Sequence, residues 1–364
     1  MQKFDLNNLT FFTNKDGSVD NVALSLSCFD CSIYNILKNN RAFDKELIVP
    51  LFIRDIYPTL WYNDKTGVFR IINQSRNINP LWTNYVKVAQ YDRLQDRDSL
   101  RLLESLLDKG QIVIMQTVFE LIKYYDKYNP NFDLNEYNQD INHVNIVLYH
   151  ENDKIYYAEK IPYCINQENY VPYQFNKQIG VINKSEIVEA CNYFLRCFTI
   201  EVNEQNLIQD ASSPEILANF IYAISDNYAG NIEHMDGYTR CHGIAALEKL
   251  VEFCNVGVDM NKYFQTEEFK LQDRINFDIW MIHGARLMIF EYIKSQPTSA
   301  YISTLADTLI EAKEQWVLLQ RIFSRLIKSR STRLTPKIGE RVKDIIEVEN
   351  RLNILLKNFC RIKL

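Results

Sequence analysis

HVNIVLYHENDKIYYAEKI, residues 143–161, is the stretch whose reading decides the fold. Two runs rich in β-branched and aromatic residues, HVNIVLYH and KIYYAEKI, flank the turn ENDK, which predicts an antiparallel hairpin. Upstream, LQDRDSLRLLESLLDK (94–109) repeats Leu at helical spacing. Gly110 follows it and is suited to ending a helix. QIVIMQTVF comes next and reads as a buried strand, and segments 168–175 and 194–203 read as further strands. CFDCSIYNIL near the N-terminus predicts a helix over 30–39, with Ile33, Ile36 and Leu37 on one face and Cys28 at or just before its first turn.

Further along the chain the pattern changes. Leu, Ile, Phe and Ala recur three and four residues apart, predicting helices near 185–194, 213–225, 237–256, 275–295, 299–329 and 336–359. Ser213-Pro214 and Thr335-Pro336 each put a capping residue before proline, as at a helix start. The expected class is α+β, with a mixed domain over 1–209 and a helical domain over 210–364.

Composition excludes several function classes. Gly is scarce, at 10 of 364 residues, and no GxGxxG or GxxxxGK[ST] pattern occurs, so a nucleotide-cradling loop is not expected. A net charge of −5 argues against a nucleic-acid partner. No apolar run approaches the ~20 residues that span a bilayer, and no cleavable leader is visible, so a cytoplasmic protein without a membrane partner is expected. The eight cysteines should then be thiols rather than a disulfide framework.

A thiol attacks as the thiolate, which a helix N-terminus or a neighbouring histidine favours. Cys28 stands where such a helix begins. His143 opens the first hairpin strand, and Glu159 lies on the return arm, sixteen residues on. Pairing across the turn brings that arm beside His143, so Cys28, His143 and Glu159 form a candidate triad of nucleophile, base and orienting carboxylate. The order Cys, His, carboxylate is that of papain-like enzymes. Each residue alone has a plainer role: a cysteine is usually a small buried hydrophobe, and a histidine or strand-end Glu is usually structural or solvated.

CFDCSIYNIL, LLDKGQIVIMQTVFELIKYYDKY, HVNIVLYHENDKIYYAEKIP and CHGIAALEKLVEF together resemble the butirosin-biosynthesis acyltransferase family. The resemblance implies a papain-like domain with a helical C-terminal domain. It implies amide formation in antibiotic or other secondary-metabolite biosynthesis: an acyl group passes from the phosphopantetheine thioester of a carrier protein, through Cys28, to an amine, in some members a diamine. No metal and no cofactor are implied. Three positions depart from the family: Glu159 for Asp, Lys160 for Pro and Gln111 for Pro. No Gln precedes Cys28 in NVALSLS to complete an oxyanion hole.

Alternatives stay open on the residues alone. Cys31 is a rival nucleophile, and Cys28-x-x-Cys31 suggests a redox pair or half a zinc site, the first of which needs a strand before it, for which VALSL would serve. His234, His242 and His283 have no motif spacing; a metal site or core roles both suit them, and Asp236, Arg240 and Arg286 could share a cleft with them. Residues 321–364 hold twelve Lys/Arg against four Asp/Glu, either a docking surface for an acidic carrier protein or a solvated helix face. A cysteine peptidase or amide hydrolase on the same triad, and a carrier-binding protein without catalysis, are the other function classes.

Overall fold

A computed structural model of the chain describes residues 11, 14, 16, 18, 20–40, 43–54, 57–66, 69–74, 79–93, 98–118, 143–158, 179–193, 195–211, 213–228, 230–256, 273–329 and 331–363. In chain order the described elements are helices α1 (Asn21–Ser25), α2 (Cys28–Lys38) and α3 (Lys45–Ile48), strands β1 (Tyr57–Asn63), β2 (Phe69–Gln74) and β3 (Val86–Arg93), and helix α4 (Ser99–Asp108). Strands β4 (Val113–Thr117), β5 (His143–Glu151), β6 (Lys154–Ala158) and β7 (Ile179–Asn183) follow, then helix α5 (Lys184–Tyr193), strand β8 (Leu195–Val202) and helices α6 (Glu204–Ala211) and α7 (Pro214–Asn227). The chain continues with strands β9 (Ile232–Met235) and β10 (Tyr238–His242) and helices α8 (Gly243–Val256), α9 (Asp273–Lys294), α10 (Ala300–Ser329) and α11 (Thr335–Lys363). The architecture is α+β, with antiparallel sheets and C-terminal helices.

The chain divides into two compact units, Met1–Ile48 with Trp82–Asn206 and Val49–Leu81 with Leu207–Leu364. The sequence pattern changes near 209, whereas the segment Val49–Leu81, early in the chain, groups with the C-terminal helices.

The first unit is built on a six-stranded antiparallel sheet of order β3-β8-β4-β5-β6-β7. The β5–β6 hairpin closes as its sequence predicts. Asn152 takes a positive φ of 52° in the two-residue turn, a conformation that Asn tolerates. The register shifts between Val147 and Tyr149, and beyond the bulge Tyr149 and Tyr156 stack with centroids 4.2 Å apart. Helix α4 ends as expected at Gly110 (φ 70°): the Gly110 N–H donates to the Leu107 carbonyl and the Gln111 N–H to Leu106, the paired bonds of a Schellman cap. Leu103 and Leu106 of α4 and Ile187 and Cys191 of α5 pack with Val113, Met115, Val147 and Cys197 of the sheet. The strand expected over 168–175 lies outside the described residues.

The second unit has a four-stranded antiparallel sheet of order β2-β1-β10-β9. The helix expected over 237–256 is a correction: residues 238–242 pair with β1 and β9 as a strand, and the helix begins only at Gly243. Two glycines permit that junction. Gly230 (φ 89°) and Gly243 (φ 57°) lie where two backbone segments cross, and an added Cβ would sit 2.3 Å from the His242 and Tyr228 carbonyl oxygens respectively. One face of the sheet, with Leu60, Ile71 and Cys241, packs on Leu247 and Leu250 of α8, Ile282 of α9 and Trp316 of α10. Within the helices, Arg286 is buried. Its Nε donates to Glu349 Oε1 at 2.9 Å, and Trp316 Nε1 donates to the same oxygen at 2.7 Å. Arg286 also donates to the Ile282 carbonyl. No helix among the described residues is long and apolar enough to cross a membrane.

Candidate active site

Cys28 is the first residue of α2. Ser27 is the N-cap: its Oγ accepts the Asp30 N–H at 3.2 Å and its hydroxyl donates to Asp30 Oδ2 at 2.6 Å. This pair caps the helix start, and it puts a carboxylate in the first turn, where a negative charge also suits the helix dipole. Trp82 Nε1 donates to the other carboxylate oxygen of Asp30 at 3.2 Å, so the buried carboxylate has a donor on each oxygen. Phe29 sets its ring edge-on to Phe198 of β8, centroids 4.8 Å apart, and lies 6.4 Å from Trp82. The first turn of α2 is therefore held by polar and aromatic contacts together.

The rest of the helix is buried from Asp30 to Leu37. Its far end is tied back to the start of the segment. Asp20, wholly buried, caps α1 at the Val22 N–H and accepts Tyr34 Oη at 3.0 Å and Lys38 Nζ at 2.7 Å. Three donors on one carboxylate offset the desolvation that a buried ion pair costs. Only the two ends of the helix, Cys28 with Phe29 and Lys38, are less than fully buried.

Among the described cysteines, Cys28 alone is not buried. Cys31 is 1% exposed and its sulfur receives Asn35 Nδ2 at 3.4 Å. Burial pushes the Cys191 thiol up to about 12 and those of Cys254 and Cys360 to about 11, the values of inert core thiols. The strand that a redox CxxC unit needs before Cys28 is instead the helix α1. Among the described residues no group of His, Cys, Asp and Glu is arranged to hold a metal ion. His234, His242 and His283 lie on β9, β10 and α9. His242 pairs with Thr59, and burial pushes His283 down to about 4.

Helix α2 packs on β5, the strand that His143 begins. The register pairs His143 with Thr117 of β4, whose hydroxyl donates to the Ala190 carbonyl of α5, while α2 meets β8 through Phe29 and Phe198. Ala158, the last residue of β6, pairs with Ile146. Glu159 lies outside the described residues. Asp30 and Trp82 belong to the surroundings of Cys28 in addition to the residues that the sequence singles out. Ser27-x-x-Asp30 was a readable capping signal, whereas nothing local ties Trp82 to α2.

A scan against protein-family models finds none that matches this chain, and a search of the curated proteins likewise returns no match.

Proposed function

We propose that the chain is a cysteine-dependent acyltransferase of papain-like design, with Cys28 as nucleophile, His143 as base and Glu159 as the carboxylate that orients it. The observation that carries this reading is the placement of Cys28: a half-buried thiol at the first position of a helix that is buried from Asp30 to Leu37, in a chain whose other described thiols are all in the core. The helix start favours the thiolate and offers backbone N–H groups to an oxyanion. The packing of α2 on the strand begun by His143 supports the papain-like arrangement, as does the resemblance of CFDCSIYNIL and HVNIVLYHENDKIYYAEKIP to the butirosin-type family.

The donor in this reading is the phosphopantetheine thioester of a carrier protein. The Cys28 sulfur attacks the thioester carbonyl and its proton passes to His143. The tetrahedral intermediate collapses, and the carrier thiol leaves with that proton. An amine then attacks the Cys28 thioester, the amide forms and Cys28 regains its proton. The two thioesters are nearly equal in energy, so the second step, aminolysis, supplies the driving force. Water must be kept from the acyl-enzyme for amide to outrun acid.

Intact-protein mass spectrometry after mixing with an acyl-loaded carrier protein tests this. An adduct on Cys28 that an amine discharges as amide is expected. Discharge to free acid alone would make the chain a hydrolase, and an equally active Cys28→Ala protein would remove the reading. His143→Ala is expected to stop acylation; an unchanged rate would leave Cys28 with a different base.

A further inference from the structure

Helices α10 and α11 form an antiparallel hairpin joined through a single 3-10 turn, Thr332–Leu334. Arg341 donates to Gln315, Arg351 to Glu311 and Tyr301 to the Leu355 carbonyl, so the partners run in opposite order along the two helices. Charge is spread unevenly along this hairpin. Residues 321–343, which straddle the turn, hold eight Lys/Arg against one acidic residue, Glu340, in a chain of net charge −5.

Farther from the turn the basic side chains are neutralised within the molecule. Arg341 pairs with Asp344 at 3.0 Å, Arg351 with Glu311 at 2.6 Å and Lys357 with Asp226 at 2.9 Å. Nearer the turn they are not. Arg321, Arg325, Lys328, Arg333 and Lys337 are all exposed, and among the described residues none of the five has an ion-pair partner. Arg321, Arg325 and Lys328 stand at i, i+4 and i+7 on one face of α10, and RIFSRLIKS holds no carboxylate to separate them. Like charges at that spacing repel and weaken a helix. A partner of opposite charge turns the repulsion into attraction.

The candidate anionic partners differ in what else they need. A bilayer surface takes apolar anchors as well as basic charge, and no large apolar side chain described between 321 and 343 is exposed. A nucleic acid is a long polyanion. Beyond the patch on α11 it meets the exposed Asp344 and Glu347, and the chain as a whole is acidic. A compact acidic protein needs a patch of only this extent.

We propose that the turn end of the α10–α11 hairpin is the docking surface for the acidic carrier protein that presents the acyl thioester. The proposal rests on the acyltransferase reading for its partner, while the surface itself lies wholly within the second unit.

The test measures docking and transfer separately. Fluorescence anisotropy of a labelled holo-acyl carrier protein reads binding to the full chain at ionic strengths of about 0.01 M and about 0.15 M, where the Debye length falls from ~30 Å to ~8 Å. Saturable binding that weakens with salt is expected, and Cys28→Ala should bind as wild type. Combining Arg321→Glu, Arg325→Glu and Lys328→Glu should weaken binding about tenfold or more at the lower ionic strength and flatten the salt dependence. The corresponding triple change to Gln should fall between. A control with the same change in net charge, Lys87→Glu with Lys109→Glu and Lys154→Glu on exposed residues of the first unit, should lose about threefold at most. Acylation of Cys28 by an N-acetylcysteamine thioester, which needs no docking, should be the same in wild type and in the patch variant. Failure of both donors to acylate Cys28 would remove the acyltransferase reading, and docking is then judged by anisotropy alone. The proposal is overturned by absence of saturable carrier binding to wild type, or by equal losses in the patch and control variants. Tighter binding of single-stranded DNA, or of phosphatidylserine–phosphatidylcholine vesicles, than of the carrier protein overturns it as well.

Discussion

The polar groups that hold helix α2 in the first unit and those that join segments of the second do different work. In the first, Asp20, Ser27, Asp30 and Lys38 all lie within or just before one helix, and they brace it end to end. In the second, Arg286 reaches Glu349 and Thr59 reaches His242 across long stretches of chain, so each contact fastens one segment to another. Polar groups that brace a single helix set the position of its first residue. Those that fasten segments decide whether the fold closes at all. The first kind should therefore matter more to chemistry and the second more to stability.

The sharpest break of that contrast is at the thiols. Cys28→Ala should lower acyl transfer by about 10³-fold or more in single-turnover assays, with little change in melting temperature. Cys31→Ala should reverse the pattern, losing stability through a small cavity while still forming the adduct. Glu349→Ala should cost about 3–5 kcal/mol in urea denaturation, because it strands the buried Arg286 charge, whereas Glu349→Gln retains both hydrogen bonds and should lose less. Equal losses for the two variants would show that the charge is not the cause.

A pH experiment sharpens the same point. Burial is the main reason His283 is pushed from 6.5 down to about 4; the hydrogen bond with Gln320 opposes it, and Lys313 and Arg286 lower it further. The folded value lies below the unfolded one, so the stability is present above pH 6.5 and is lost as pH falls toward 4, about 3 kcal/mol in all. His283→Gln should flatten that part of the denaturation-midpoint profile. The smallest effect belongs to the helix start: Ser27→Ala should cost about 1 kcal/mol, with the deficit in acylation exceeding what the lower stability explains.

What the sequence makes legible follows the same division. Helix α2, the Gly110 stop, the β5–β6 hairpin and the long helices α9 to α11 all rest on signals within a few residues, and all are there. Strand β1 is different. Its partner β10 lies far down the chain, and its burial runs along four consecutive residues rather than alternating, so no period-2 pattern announces it. YTRCH runs on into the apolar periodicity of the helix after it, and only Gly243 marks the junction. At the site, the position of Cys28 and the Ser27 cap are local and readable. Trp82, more than fifty residues away, is not.

The placement of Val49–Leu81 with the C-terminal helices sets an order of events on the ribosome. Strands β1 and β2 emerge early, but β10 follows 183 residues later in the Thr59–His242 pairing. At about 5–20 residues per second the hairpin waits roughly 10–40 s for its partner strand. During that interval the edge of β1 is an unsealed row of N–H and C=O groups. A nascent chain stalled between residues 81 and 238 should therefore be a strong client for chaperones that bind extended segments, and release should coincide with synthesis of the β9–β10 hairpin.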